Sequence, residues 1–113
     1  MKLVIPTNGA IVAEHFGHCK TYTFLDENGK LIEVIKNTSE HMGGVGLPPE
    51  LMKAHDADIL LCRGIGLRAI KLCNSLGIKV YIGQASTINE LFNLWENNKL
   101  TEAGDEAACS EGN

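Results

Sequence analysis

The sequence predicts a mixed α/β domain, a five-stranded sheet with helices on its faces. Three observations predict it. Short apolar runs of strand length alternate with helical patterns in the order β-β-β-α-β-α-β-α. An Asn-Gly pair joins two β-branched and aromatic runs, which is a hairpin signal. The later half repeats as β-α units, whose parallel crossovers are right-handed. At 113 residues the chain implies one domain, with 44% hydrophobic and 21% charged residues supplying an ordinary globular core.

Lys2–Pro6 reads as a buried strand closed by Thr7-Asn8-Gly9. Thr21–Asp26 is the second strand, and Leu31–Lys36 the third, antiparallel to it across Asn28-Gly29. Residues 37–46 form a glycine-rich loop holding His41. Pro48 and Pro49 suit the first turn of a helix reaching about His55, with Leu47, Leu51 and Ala54 on its apolar face. Ala57–Cys62 is the fourth strand. A turn at Arg63-Gly64-Ile65-Gly66 leads into a helix whose inward residues are Ala69, Leu72, Cys73 and Leu76. Gly77 is placed as its C-terminal cap. Ile78–Ile82 is the fifth strand. Thr87-Ile88-Asn89-Glu90 matches a capping box, opening a helix that buries Ile88, Leu91, Phe92 and Trp95. The first strand is expected centrally, between the hairpin and the fourth strand. Residues 1–101 form the domain. Residues 102–113, with four carboxylates and no Lys or Arg, read as a flexible acidic tail.

Charge and cysteine usage limit the function. Ten Lys and Arg against 14 Asp and Glu give a net charge of −4, with no basic run. Nucleic acid is a poor partner for such a chain, because phosphate backbones are held by clustered cations. No apolar stretch approaches a membrane span. Met1-Lys2 runs straight into Leu3-Val4-Ile5-Pro6, too short for a secretory signal, so the expected location is cytoplasmic, with reduced thiols. Cys19, Cys62, Cys73 and Cys109 are widely spaced, without a Cys-x-x-Cys pair, which argues against a zinc ribbon or a thioredoxin-type site.

The chemistry concentrates in His15-Phe16-Gly17-His18-Cys19. If the first, third, fourth and fifth strands are parallel, His15, His18 and Cys19 before the second strand, His41 after the third and Cys62 closing the fourth arrive at one sheet edge. Open α/β sheets place their ligands there. Gly64 and Gly66 lead into a helix N-terminus with free N–H groups, and Arg63, Arg68 and Lys20 lie nearby in sequence. An anionic ligand suits such an edge. Thiolate and imidazole donors suit iron–sulfur chemistry, copper(I) or zinc better than magnesium or calcium. Their spread over separate glycine-containing loops fits an open cradle for a preformed cluster better than a closed zinc site. Each residue also has a plainer reading: Cys19 and Cys62 as small buried hydrophobes, the histidines as loop residues bonded to backbone, Cys73 as core and Cys109 as a tail thiol.

His15-Phe16-Gly17-His18-Cys19, Asn37 and His41, Cys62-Arg63-Gly64-Ile65-Gly66-Leu67-Arg68-Ala69 and Gly77-Ile78-Lys79-Val80-Tyr81 together resemble the dinitrogenase iron–molybdenum cofactor biosynthesis family, over about residues 1–101. The resemblance implies a three-layer ribonuclease H-like fold with strand order 3-2-1-4-5. It also implies non-catalytic binding, carriage or scaffolding of an iron–sulfur or molybdenum-containing cluster. On that reading Cys19, Cys62 and His15 are metal ligands, and Gly64, Gly66, Arg63, His18 and His41 contact the cofactor. The implied partners are the cluster and a delivery or acceptor protein. Members often end in a Cys-x-x-His-like tail, whereas Cys109 is followed by Ser110-Glu111-Gly112-Asn113. An anion- or phosphate-binding regulatory module using the Gly64–Gly66 turn is the alternative. A nuclease, suggested by fold alone, lacks support: Leu3-Val4-Ile5 carries no carboxylate to hold a metal pair, and Asp58 falls at the wrong end of its strand.

Overall fold

A computed structural model describes residues 1–37 and 48–103. The elements run β1 (Lys2–Asn8), β2 (Ile11–Val12), β3 (Thr21–Asp26), β4 (Leu31–Lys36), α1 (Pro48–Ala54), β5 (Ile59–Cys62), α2 (Leu67–Ser75), β6 (Lys79–Ile82), α3 (Ile88–Glu96) and β7 (Thr101–Ala103). The sheet is ordered β4-β3-β1-β5-β6-β7, with β2 paired to the end of β1. Among the described residues it has seven strands, so the expected count of five is corrected. The two extra strands, of two and three residues, are too short to carry a period-2 signal. Glu102 and Ala103, expected in the tail, instead pair with Tyr81 and Val80. His41 and Cys109 lie outside the described residues.

β1 is flanked by β3 in antiparallel and β5 in parallel register, and β5 pairs in parallel with β6. Strand alternation divides the core in two. Leu3, Ile5, Leu25, Ile59 and Leu61 pack under Leu91 and Phe92 of α3. Val4, Tyr22, Phe24, Leu60 and Val80 pack under Met52 of α1 and Ile70 and Cys73 of α2. Each fully buried aliphatic side chain contributes about 1.5–3 kcal/mol. The inward face of α1 differs from expectation: Pro49 and Met52 are buried, while Ala54 is exposed.

The hairpin closes with the Asp26 N–H donating to the Lys30 carbonyl (2.8 Å), and Gly29 at φ +84° takes the left-handed position. The Asp26 carboxylate accepts from the Asn28 and Lys30 N–H groups, which holds it below the ordinary carboxylate range. The three helices among the described residues stop in the same way. The residue after each C-cap is left-handed: Asp56 (φ 66°), Gly77 (φ 82°) and Asn98 (φ 58°). The next N–H then reaches back to the helix, Ala57 to Met52 (3.1 Å), Ile78 to Cys73 (2.8 Å) and Lys99 to Leu94 (2.8 Å). The capping box of α3 is present, with Thr87 and Glu90 bonding reciprocally.

Candidate functional site

Two connections meet at the edge of the sheet where β1 and β5 end. The first carries His15–Cys19. His18 N–H donates to the His15 carbonyl (3.3 Å), and the turn passes through Gly17 at φ +92°, a conformation costly for a side-chain-bearing residue. Asn37, buried after β4, clamps the loop: its Nδ2 donates to the carbonyls of Gly17 (3.1 Å) and Cys19 (3.0 Å). The Asn8 side chain accepts from the Lys20 N–H (2.8 Å). Asn8 left no signal in the sequence pattern, and Asn37 stood out only among the residues of the family resemblance, because each clamps a partner at least twelve positions away.

The second connection is Arg63–Gly66. Phe16 N–H donates to the Gly64 carbonyl (2.8 Å), which ties the two loops together. Gly64 admits no larger residue without movement: a Cβ there would lie 2.8 Å from the Glu14 carbonyl oxygen and 3.5 Å from His15 Nδ1. Gly66 is the N-cap of α2 and supplies no side-chain cap. The first N–H groups of α2 therefore keep their positive partial charge at the edge. His15, Phe16, His18, Gly64, Ile65 and Gly66 line a groove of about 540 Å³. An apolar pocket of about 390 Å³ shares Phe16 and adds Pro48, Pro49, Leu72 and the cation of Arg68.

Three expected site residues sit elsewhere. Cys19 and Cys62 are 4% and 1% exposed and belong, with Cys73, to the core beneath α1 and α2. Even numbers on β5 face that core, so Cys62 follows Leu60 inward; its Sγ lies 3.9 Å from the Tyr81 carbonyl. Burial pushes the Cys62 and Cys73 thiols up to about 12, with Cys73 adding to the effect at Cys62. Burial also raises Cys19, against a lowering hydrogen bond from Tyr22. Arg63 lies beyond Leu61 on the opposite face and lines a separate groove beside α3. Among the described residues, no three His, Cys, Asp or Glu side chains converge to hold a metal ion.

The arrangement can therefore present two imidazoles, close backbone and a helix N-terminus to one ligand. Among the described residues it offers no thiolate cage. Imidazole nitrogens can bind a soft or borderline metal at the outside of a cluster, and helix N–H groups can bond its sulfur or oxygen atoms. This donor set fits a preformed anionic cluster better than a bare ion.

A family model described as dinitrogenase iron-molybdenum cofactor matches residues 1–98. An uncharacterised protein of Methanocaldococcus jannaschii is 30% identical over 105 residues, covering 88% of this chain and 89% of its own. The crystal structure of PH0822 is similar at TM-score 0.74 and 34% identity, over 89% of this chain and 93% of that one. The apo form of the orange protein from Desulfovibrio gigas shares the fold at TM-score 0.76 and 18% identity, over 90% of this chain and 92% of that one.

Proposed function

We propose, because this chain belongs to the dinitrogenase iron-molybdenum cofactor family, that it carries or scaffolds a preformed metal–sulfur cluster. The cargo is of the iron–sulfur or molybdenum-containing kind, held in the His15–Gly66 groove and passed to or from a delivery or acceptor protein. The observation that carries this reading is the Phe16–Gly64 hydrogen bond, which brings His15 and His18 against the uncapped start of α2. His15 and His18 ligate the cluster or donate hydrogen bonds to it. Gly64 and Gly66 let backbone lie close to it. The α2 N-terminus and Arg68 offset its charge.

The role is binding rather than catalysis, and no described helix is long and apolar enough to cross a membrane. We read the helix-covered sheet as a ribonuclease H-like arrangement elaborated by β2 and β7. Cys19 and Cys62 are protonated core residues in this reading, because a ligating thiol must first lose its proton.

Anaerobic reconstitution tests it, first with iron and sulfide and then with tetrathiomolybdate. Visible charge-transfer bands and metal per chain are the readouts. A His15→Ala, His18→Ala double variant loses the bands, and Cys19→Ala, Cys62→Ala retains them while folded. Loss of the bands in a folded cysteine variant would make the thiolates ligands and overturn the assignment. His41→Ala tests the remaining candidate. The uncapped α2 start also favours a second reading, an anion-binding regulatory module, which requires phosphate to bind this groove with no metal present.

A further inference from the structure

The face that receives Arg63 carries a groove that the cargo reading does not use. Its volume is about 770 Å³, within the range of small-molecule sites. Arg63 forms one wall, and the β6–α3 connection, α3 and the turn after it form the others, contributing Gln84, Ser86, Glu90, Asn93 and Lys99. Two cations face one cleft on a protein of net charge −4. Neither is ion-paired with a described residue.

The one carboxylate among the described residues of the cleft is engaged through one of its two oxygens. Glu90 accepts from the Ser86 and Thr87 N–H groups (3.1 and 3.0 Å) and from the Thr87 hydroxyl (3.2 Å), which lowers its proton affinity. Its charge serves the start of α3. The Arg63 Nε is shielded and meets no acceptor among the described residues. A guanidinium offers Nε–H and a neighbouring Nη–H as parallel donors, spaced for two oxygens of one carboxylate or phosphate. Presenting that pair to a ligand requires the side chain to turn into the cleft it lines. The connection is held in place for such a ligand, since Val12 N–H donates to the Ser86 carbonyl (2.9 Å).

We propose that this cleft is a second site, independent of the cluster groove, for a small polar molecule bearing a carboxylate or phosphate. Arg63 grips the oxyanion side-on, Lys99 adds charge, and the carboxamides of Gln84 and Asn93 bond the remainder of the ligand.

The test is a titration of the full chain with inorganic phosphate and, separately, succinate, followed by ¹H–¹⁵N correlation spectra that include the arginine Nε–H signals. Saturable shifts at Arg63 Nε–H and at the amides of Ser86, Asn93 and Lys99 are expected with at least one probe, and the responding probe identifies the oxyanion. Arg63→Gln weakens binding roughly tenfold. Lys99→Gln weakens it less, and because Lys99 is exposed this variant decides the matter if Arg63→Gln fails to fold. His15→Ala, His18→Ala leaves binding unchanged. The proposal is overturned by shifts that do not saturate with either probe, by shifts confined to the His15–Gly66 groove, or by equal affinity in a folded Arg63→Gln or in Lys99→Gln.

Discussion

Replacing Gly66 by Asp separates folding from cargo binding in a single side chain. Gly66 has φ −81° and ψ 161°, an extended N-cap conformation open to any residue, and an added Cβ meets nothing within 4 Å. The Asp carboxylate would accept from the first-turn N–H groups of α2. Replacing a Gly cap adds a few tenths of a kcal/mol, and a charge at the helix start adds about 0.3–1 kcal/mol. Together they stabilise by about 0.5–1 kcal/mol, a rise of roughly 2–6 °C in Tm. The same carboxylate occupies the N–H groups assigned to the cargo and repels it. At ~5 Å and an effective dielectric of ~20 the repulsion is ~3 kcal/mol; solvent screening leaves a loss of about tenfold to a hundredfold. Urea denaturation reads the first effect, and anaerobic titration with tetrathiomolybdate, followed in the visible, reads the second. Gly66→Asn, with the cap and without the charge, should fall between. A Gly66→Asp variant that is stabilised yet binds as the parent does would show that the cargo does not sit at the α2 start. A destabilised variant would show that the cap position is misread.

Other positions give independent checks. Gly64→Ala forces the Glu14 carbonyl to shift and should cost about 1–3 kcal/mol in urea denaturation; a neutral result would mean that the two loops are not packed as described. Glu33 accepts from Lys2 Nζ (3.0 Å) and contacts His55 Nδ1 (3.3 Å), and the Lys2 bond foremost lowers its proton affinity. Its contribution to stability is therefore present above the ordinary carboxylate range and is lost as pH falls through the lower folded value. Glu33→Gln should flatten the acid side of a stability–pH profile, and an unchanged slope would remove Glu33 from the account. Asp56→Gly relieves a left-handed residue and should stabilise by about 0.5–1 kcal/mol, read as a higher urea midpoint. In a Cys109→Ser background, Cys62 and Cys73, pushed up to about 12, should resist a disulfide thiol reagent at mildly alkaline pH until the protein unfolds. Rapid labelling of either in the native state would contradict their burial.

Much of the local structure was legible in the residues themselves. Asn28-Gly29, Thr87-x-x-Glu90 and Gly77 each specify a turn or cap through atoms within a few positions, and each has the expected role. The meeting of the His15 loop with the Gly64 turn was also legible, because chain direction alone brings both to the end of β1 and β5. Other features depended on neighbours distant in sequence. β2 and β7 exist because β1 and β6 offer edges to pair with, and the left-handed caps at Asp56 and Asn98 follow from where α1 and α3 must stop. The site divided on the same principle. Cys62 and Arg63 are adjacent, and nothing local says which of them turns toward α2 and which toward α3. Strand alternation separates the two, but only the packed layers decide that Cys62 enters the core while Arg63 faces a polar cleft.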